Sequence, residues 1–273
     1  MTVYEYGTEN KQTILLIHPS VVLWDYYEYV VPLLQDDFHV VIPALPGYDK
    51  KKPEQDFTSV EEIATEIADW LETKGILEVA CVYGCSMGGG IVLRMVADNR
   101  IRFQHVVADG GITPYQLPWL VTRLLAVRDF VMISMGKFGG LKLLEKAFAT
   151  DEYSEEDLKY EADVLHFISY KTIWRTFESC NNYAMPKEID NAGENLEYWY
   201  ADKEKKERAL DIKFVKTNFP KTRFVELEGI GHAGLATKEP QKMADMLRKL
   251  CKQSGSDAAV SYEGKGGTSH GRI

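Results

Sequence analysis

Short apolar runs alternate with segments of helical period along most of this chain, and this alternation limits the folds open to it. Strand-length runs occur at 13–17, 39–42, 79–83, 105–108, 196–200 and 224–227. Strands of this length separated by helices imply parallel βαβ units in an open sheet that carries helices on both faces. Ligands of such sheets bind at the carboxyl ends of the strands. We therefore look for chemistry at that edge.

Three segments between the strands have the apolar spacing of helices. In 59–74, apolar residues recur at helical spacing, and Ser59 with Glu62 forms a plausible capping box before Gly75 ends the segment. The other two helices are predicted at 87–98 and at about 240–251. We therefore expect these helices to pack on the faces of the sheet.

The alternation stops between about Ile112 and Asp190. This stretch holds apolar helical patterns at 120–135, 140–148 and 158–183, and no convincing strand. It predicts a helical cap inserted into the sheet domain, with some of its aromatic residues lining a pocket. The chain is then divided into a first core segment (1–111), the cap (112–190), a second core segment (191–252) and a tail rich in Gly and Ser (253–273), which we expect to be disordered.

Composition narrows the class of protein. The 273 residues are 45% hydrophobic, enough for a large core, and carry a net charge of -9 with no basic run, which argues against nucleic acid or an anionic membrane as the main partner. The four cysteines lack paired spacing, so free thiols are expected. The sequence starts without a signal peptide and has no bilayer-length apolar stretch. We expect a cytoplasmic protein.

One serine stands between glycines at the junction of a strand and a helix. In Gly84-Cys85-Ser86-Met87-Gly88, the strand 79–83 comes before the motif and the helix 87–98 follows it. A sharp turn here exposes the hydroxyl, and the residues two before and two after must lack side chains. The turn also points the Met87 amide, at a helix N-terminus, to where negative charge would form. A packing turn is the alternative explanation, and the flanking strand and helix favour a nucleophile.

A serine nucleophile needs a base, and His232 is the best placed of six histidines. It lies in a loop after the strand 224–227 and before the last helix, at the same edge as Ser86. The glycines beside it, Gly231 and Gly234, would permit close approach. Of the others, His18, His39 and His105 lie at strand ends, where structural roles are expected, His166 lies in the helical block, and His270 lies in the tail.

The base in turn needs a carboxylate to orient it and to stabilise its charged form. Asp109 ends one strand, and the loop after the next strand offers Asp202 and Glu204. The loop is highly charged, so that pair could instead belong to a solvated helix start. Chain geometry alone leaves all three carboxylates open.

Taken together, these motifs resemble those of the α/β-hydrolase family with an inserted helical cap. The chain order of serine, acid and histidine is the order of that family. His18-Pro19-Ser20 is similar to its oxyanion segment and Leu45-Pro46-Gly47-Tyr48 to its L-P-G-x-G loop. The resemblance covers residues 10 to 252, and it implies a mostly parallel sheet flanked by helices.

The resemblance also implies roles for individual residues. Ser86 corresponds to the nucleophile, His232 to the general base, and the amides of Ser20 and Met87 to the oxyanion hole. The family acid commonly stands three residues beyond the Gly that ends the strand, and this position is held by Glu204. We favour Glu204 over Asp202, with Asp109 third.

Three positions depart from the family pattern. Pro19 replaces a glycine, but the following residue supplies the amide, so the hole should survive. Cys85 stands where histidine is frequent, and we expect it to pack beneath the turn, pointing away from the pocket. Ala201 replaces the glycine of the acid loop, which keeps Asp202 under consideration.

The predicted activity is hydrolysis of an ester, or of a thioester or amide, in a small and largely apolar substrate through an acyl-enzyme. A serine at this turn argues against dehalogenase or epoxide hydrolase chemistry, which in this family uses an aspartate there. Carbon–carbon bond hydrolysis, acyl transfer, and a ligand-binding protein without turnover are the alternatives. No cofactor, metal or nucleic acid is expected, and the partner is a small-molecule substrate.

Overall fold

The computed structural model describes residues 1–114, 117–147, 154–187, 189 and 195–260, and their strands form one seven-stranded sheet. The sheet order is β1-β3-β2-β4-β5-β6-β7, with β1 antiparallel to β3 and every other pairing parallel. The strands are β1 (Thr2–Tyr6), β2 (Thr13–Ile17), β3 (His39–Ala44), β4 (Glu78–Cys85), β5 (Arg102–Asp109), β6 (Leu196–Ala201) and β7 (Arg223–Leu227). The predicted mostly parallel sheet flanked by helices is confirmed.

The edge strand β1 was not predicted from the sequence. Every residue of β1 is only partly buried, so the segment lacks the fully apolar run by which the central strands are recognised. Strand β3 also continues past its predicted end at Ile42 to include Pro43. Its parallel pairing with β2 ends at Val41, so the missing amide of Pro43 interrupts no bond on that side.

Helices cover both faces of the sheet. The α-helices of the described residues, including those of the insertion, are α1 (Val31–Leu34), α2 (Val60–Thr73), α3 (Met87–Asp98), α4 (Trp119–Ala147), α5 (Glu155–Phe167), α6 (Tyr170–Asn182), α7 (Ala209–Asn218), α8 (Leu235–Lys238) and α9 (Pro240–Val260). The Ser59 hydroxyl caps α2 by accepting from the Glu62 amide, 3.1 Å away. Helix α9 runs past its predicted end at Cys251, since no proline stops it. Of the tail that was expected to be disordered (253–273), residues 253–260 continue α9, and the remainder lies outside the described residues.

Strand β2 shows why the central strands are apolar at every position. Ile14 and Leu16 pack on the face covered by α1 and α9, whereas Leu15 and Ile17 pack on the face covered by α2 and α3. Successive side chains of a strand point to opposite faces, so a sheet buried on both faces needs apolar residues throughout. None of the described helices combines the length and the hydrophobicity that a membrane span requires.

The helical insertion between β5 and β6 contains α4, α5 and α6. Helix α4 bends at Gly140, whose φ is 55°. The single helix predicted over 158–183 was wrong, because Ile168 is extended and separates α5 from α6. The Ser169 hydroxyl then caps α6 by accepting from the Thr172 amide. A serine that can cap is the sequence signal for this break. Of the cap aromatics, Phe148 lies outside the described residues.

Side chains from α5 and α6 anchor the insertion to loops at the carboxyl ends of β2 and β3. The Tyr160 hydroxyl accepts from the Leu23 amide at 2.9 Å. Thr176 bonds the Tyr48 hydroxyl at 3.0 Å. These contacts hold the insertion at the edge where a βαβ sheet binds ligands. The proposed cap boundaries at 112 and 190 remain predictions, and residue 190 lies outside the described residues.

Candidate active site

The turn between β4 and α3 holds Ser86 in a strained conformation. Its φ is 51° and its ψ is -111°, a region that residues with side chains rarely adopt. Such a conformation costs about 1–3 kcal/mol and persists only where the surrounding structure enforces it. The strain makes Ser86 a functional candidate, as the sequence motif had indicated.

Glycines on either side of Ser86 allow the turn to pack tightly. A Cβ on Gly84 would lie 2.3 Å from the Gly88 carbonyl oxygen, and a Cβ on Gly88 would lie 2.2 Å from the Ile17 carbonyl oxygen. Both obstacles are backbone atoms, which cannot move aside easily. The two glycines of the motif are therefore required by close approach, and the second one brings the end of β2 against the turn.

The end of β5 and the residues after it contact both Ser86 and His232. The Ser86 amide donates to the Asp109 carbonyl oxygen at 2.8 Å, and the Ile112 amide donates to the Ser86 carbonyl oxygen at 3.2 Å. A Cβ on Gly110 would lie 3.2 Å from Cε1 of His232. The φ of Gly110 is 54°, so glycine is favoured here for its conformation as well as its size. One peptide segment thus contacts both predicted catalytic loops.

His232 and Glu204 form a direct hydrogen bond. Nδ1 of His232 lies 2.7 Å from Oε1 of Glu204, and the glutamate is buried although its neighbours in sequence are exposed. A carboxylate can only accept, so Nδ1 carries the proton and Nε2 of the neutral ring is free to act as a base. The side chain of His232 is 42% exposed, which leaves the ring accessible to a substrate.

The hydrogen-bond partners of Asp202 and Asp109 differ from those of Glu204. Asp202 accepts from the Lys203 amide and, at 3.5 Å, from the Gly229 amide of the histidine loop. Asp109 is buried and accepts from the Tyr83 hydroxyl at 2.5 Å. Neither has a hydrogen bond to the ring of His232 among the described residues.

Asp109 nevertheless affects the electrostatics of this edge. Burial raises the pKa of its carboxyl to about 6; the Tyr83 hydroxyl and nearby His232 lower it, and the charge of Glu204 raises it. Near neutral pH, Asp109 is therefore a buried acid close to its titration point. Its carbonyl oxygen accepts from the Ser86 amide, so the backbone of Asp109 contacts the Ser86 turn while its side chain bonds Tyr83 in β4.

The sequence did not reveal a buried charge network behind Glu204. Nε of Arg208 lies 3.7 Å from Oε2 of Glu204, and Nη1 donates to Asp211 at 3.1 Å. Asp211 in turn accepts from both the amide and the hydroxyl of Thr113, where the insertion begins. The i,i+4 and i,i+3 spacings of these charged residues were the available signal. From the sequence, this charged segment was expected either to supply the acid or to be a solvated helix start, and neither prediction included the network.

The two amides predicted to form an oxyanion hole lie on adjoining segments. Within the described part of the chain, neither the Ser20 amide nor the Met87 amide donates to another protein group. Gly88 packs against the carbonyl oxygens of Ile17 and His18, so the segment leading to Ser20 runs along the turn. The structure therefore leaves two uncommitted donors near Ser86.

His18 orients one of these amides. It is fully buried, and burial lowers its pKa to about 4, so it is neutral. Its Nε2 accepts from the Leu45 amide at 3.4 Å, so Nδ1 donates to the Pro19 carbonyl oxygen at 2.8 Å. That carbonyl belongs to the same planar peptide as the Ser20 N–H, so the bond fixes the direction of the N–H.

Cys85, next to Ser86, is buried among aromatic residues on the opposite face from α3. Burial and the nearby carboxylates raise the pKa of its thiol well above the ordinary value, so the thiol stays protonated. His39 bonds Glu5 and Thr13 away from this edge. In the described part of the chain, no group of three or more His, Cys, Asp or Glu side chains is arranged to hold a metal ion.

Comparisons with known proteins agree on the fold. A family model described as alpha/beta hydrolase fold matches residues 13–206. An uncharacterized hydrolase of Saccharomyces cerevisiae is 28% identical over 108 residues, which are 39% of this chain and 37% of that protein. The chain thus matches well under half the length of this curated relative.

Solved structures match over most of both chains. A putative alpha/beta hydrolase family protein from Desulfitobacterium hafniense aligns with a TM-score of 0.70 and 18% identity, over 91% of this chain and 99% of that one. A structure from a study of carboxylesterases of Nitrososphaera gargenis aligns with a TM-score of 0.72 and 16% identity, over 94% and 95%. At these identities, the likeness concerns the fold alone.

Proposed function

Because this chain belongs to the α/β-hydrolase family, we propose that it is a serine hydrolase that cleaves the ester bond of a small, largely apolar substrate through an acyl-enzyme. The hydrogen bond between Glu204 and His232 carries the proposal. It involves a buried carboxylate and an accessible imidazole, and the end of β5 contacts both the histidine and the strained Ser86 turn. A thioester or an amide is a related substrate for the same chemistry.

Ser86 acts as the nucleophile and His232 as its base. Nε2 of the imidazole takes the hydroxyl proton while Oγ attacks the carbonyl carbon of the substrate, which forms a tetrahedral intermediate. Glu204 holds the ring in the tautomer that leaves Nε2 unprotonated, and it stabilises the imidazolium once it has formed. Arg208 lies behind Glu204, with its Nε 3.7 Å from Oε2 of the carboxylate.

The amides of Ser20 and Met87 donate to the oxyanion. A single donor in such a hole is worth about 3 kcal/mol of transition-state stabilisation. His232 then passes its proton to the leaving alkoxide, and the C–O bond breaks to give the acyl-enzyme and an alcohol. A water molecule that loses a proton to His232 attacks the acyl carbon, and Ser86 leaves with that proton. The products are a carboxylic acid and an alcohol.

The preference for an apolar substrate rests on the insertion. Aromatic side chains from two of its helices pack together, with Phe130 and Trp174 edge to face at 5.7 Å between ring centroids. Tyr48, from the loop after β3, is buried beneath α6 and packs against Phe57. Aromatic side chains of the insertion that face the substrate would suit an acyl chain or an aryl alcohol better than a charged group.

Labelling by a fluorophosphonate, combined with turnover of short-chain aryl esters, tests the proposal. We expect wild type to be labelled and to hydrolyse the esters, and Ser86→Ala to lose labelling and at least about 10⁴-fold in activity. Ser20→Ala is the matched control, since it removes a hydroxyl but keeps the backbone amide that donates to the oxyanion. An unlabelled wild type, or an active Ser86→Ala variant, would refute the proposal.

The same experiment separates the alternatives. A ligand-binding protein without turnover would stay unlabelled because its triad would be misaligned. A carbon–carbon bond hydrolase or an acyltransferase would be labelled and yet hydrolyse the aryl esters poorly.

The proposal includes a cytoplasmic location. The four cysteines are all free and buried, which is consistent with that location.

A further inference from the structure

Helix α4 is apolar on two opposite sides, and only one side is covered. Its inner side, with Thr122 and Ala126 buried, packs on α5 and α6. Its outer side exposes large apolar side chains, with Leu120 at 64% and Phe138 at 90%. A helix that is apolar all round normally has its whole surface buried. The outer side of α4 is therefore a surface that lacks its partner.

The outer residues are spaced as in a seam between two helices. Leu120, Leu124, Val127, Val131, Ser134 and Phe138 follow one another at intervals of 4, 3, 4, 3 and 4 residues. This is the heptad spacing by which one helix packs against another, and it extends over about 27 Å at 1.5 Å per residue. The seam ends where the helix bends at Gly140. The pattern is narrower than a general apolar face and indicates a second helix as the occupant.

The exposed area matches that of a dimer interface. The exposed parts of the large side chains on this surface amount to about 1,000 Å², taking about 200 Å² for a whole side chain. A typical monomer leaves a largest apolar patch of about 300–600 Å². A stable interface covers about 800 Å² on each partner. The exposed apolar area on α4 is therefore larger than the largest patch of a typical monomer and large enough for one side of a stable interface.

A groove on the same surface can receive side chains of a partner. Its volume is about 290 Å³. It is lined by Phe130, Val131, Ser134, Met135, Phe138, Leu143 and Tyr170, which are almost entirely apolar where they face it. Grooves between the ridges of a helix surface accept the ridges of a second helix. The outer surface of α4 thus offers both a groove for side chains of a partner and a large exposed apolar area.

The charges around the seam argue against a lipid surface. Interfacial helices carry free Lys and Arg beside the apolar face, and they bind anionic lipid. Here Arg123 pairs with Glu178, Arg128 pairs with Asp129, and Lys137 donates to the Leu165 and His166 carbonyl oxygens. The chain as a whole carries a net charge of -9. A second protein helix therefore suits this surface better than a membrane does.

We propose that two copies of this chain associate through the outer surface of α4, with the two helices antiparallel about a two-fold axis. A parallel pair would bring Arg123 of one copy close to Arg128 of the other, and like charges there are unfavourable. An antiparallel pair instead places Leu120 opposite Phe138 and Val127 opposite Val131. The association is independent of the proposed chemistry, because none of the seam residues belongs to the Ser86, His232 and Glu204 group.

Sedimentation velocity at protein concentrations of tens of micromolar tests the proposal. We expect wild type to sediment as a dimer, and the double variant Leu124→Glu with Val131→Glu to sediment as a monomer, with a dissociation constant raised about 100-fold or more. Leu77→Glu is the matched control, because Leu77 is 61% exposed but lies outside α4. It should leave the dimer intact.

Circular dichroism and aryl ester turnover check that each variant is folded. A monomeric wild type would overturn the proposal, and so would a folded double variant that remains a dimer. A monomeric wild type that co-sediments with vesicles of phosphatidylcholine and phosphatidylglycerol would assign the surface to lipid instead. If neither wild type nor any variant hydrolysed the esters but wild type remained a dimer, the result would count against the proposed function and would still support the proposed interface.

Discussion

The turn that carries Ser86 and the loop that carries His232 both contain glycines, but they are held in place by different means. At the turn, a Cβ on Gly84 or Gly88 would meet backbone oxygen atoms at less than 2.5 Å. In the histidine loop, nothing lies within 4 Å of a Cβ at Gly229 or Gly231. The turn depends on close packing of its backbone, whereas the histidine loop is open at these two positions and is held by buried Ile230 and Leu235 together with polar contacts.

This difference corrects one step of the sequence argument. Gly231 and Gly234 were expected to permit close approach; a Cβ at Gly231 would meet nothing within 4 Å, whereas a Cβ at Gly234 would lie 3.2 Å from the Gly231 carbonyl oxygen. Gly229 instead adopts a φ of 71°, so its glycine serves the backbone conformation. The ring is held by Glu204, and the Ala233 carbonyl oxygen accepts from the Tyr26 hydroxyl at 2.5 Å. Glycine is therefore needed for two different reasons in this site: close packing at the Ser86 turn and backbone conformation in the histidine loop.

If the hydrogen bond to Glu204 orients the ring of His232, removing that carboxylate should have the largest effect on activity. We expect Glu204→Gln to lower kcat/KM for aryl esters by about 10³–10⁴-fold, because the amide can hold the wrong tautomer of His232. Asp202→Asn is the matched control in the same loop and should change kcat/KM by less than about threefold. Equal losses in the two variants, measured by steady-state hydrolysis, would mean that both acids serve the ring.

The packing of the turn can be tested by adding one methyl group to each loop. We expect Gly88→Ala to lower the free energy of unfolding by at least about 3 kcal/mol, since its Cβ meets the Ile17 carbonyl. Gly231→Ala should cost less than about 1 kcal/mol, because the space there is empty. Urea denaturation measures both, and similar values for the two variants would contradict the comparison.

The buried acid on the Ser86 side should give a pH dependence of stability. Asp109 has a pKa of about 6 in the folded protein, above its value in the unfolded chain, so the folded state holds the proton more tightly. Stability from this group is present at low pH and is lost as pH rises from about 4 to 6, by up to about 3 kcal/mol.

Asp109→Asn isolates this effect because the amide oxygen can still accept from the Tyr83 hydroxyl. The difference in unfolding free energy between variant and wild type should shift in favour of the variant as pH rises through this range. Urea midpoints at several pH values give that difference. A difference that does not change with pH would show that Asp109 titrates normally.

The smallest expected effect compares two neighbouring tyrosines. Tyr26→Phe frees the Ala233 carbonyl in the histidine loop, and Tyr27→Phe frees the Ile17 carbonyl beside the turn. Each should cost about 1 kcal/mol of stability for the lost hydrogen bond. Only Tyr26→Phe should also lower kcat, by several-fold, because the histidine loop has little packing to replace that contact. Equal kcat values would show that the loop is held in other ways.

The sequence predicted those parts of the molecule in which one local rule dominates. Strand β2, the turn at Ser86 and helix α3 each follow from apolar runs and glycine spacing, and their predicted positions were close to the observed ones. The edge strand β1 and the break at Ile168 were missed, because partial burial and a single capping serine leave weak signals.

The environment of Glu204 could not be predicted from local patterns. Its burial depends on Arg208 and Asp211 folding back and on Thr113, which is distant in sequence. A charged segment such as 202–208 has the composition of a solvated surface, and only tertiary contacts show that two of its residues are buried against each other. The sequence could narrow the acid to three candidates, but long-range contacts distinguish them.

The contact of Gly110 with His232 limits where natural variation can accumulate. A Cβ at Gly110 would lie 3.2 Å from Cε1 of His232, so any side chain added here would press on the ring. The Gly110 amide also donates to the Trp199 carbonyl oxygen, which fixes the backbone at this position. Descendants of this protein that acquire new substrates would have to alter the inserted helices, since any change at 110 moves the imidazole first. Divergence in this lineage should therefore be concentrated in the insertion and sparse along the carboxyl edge of the sheet.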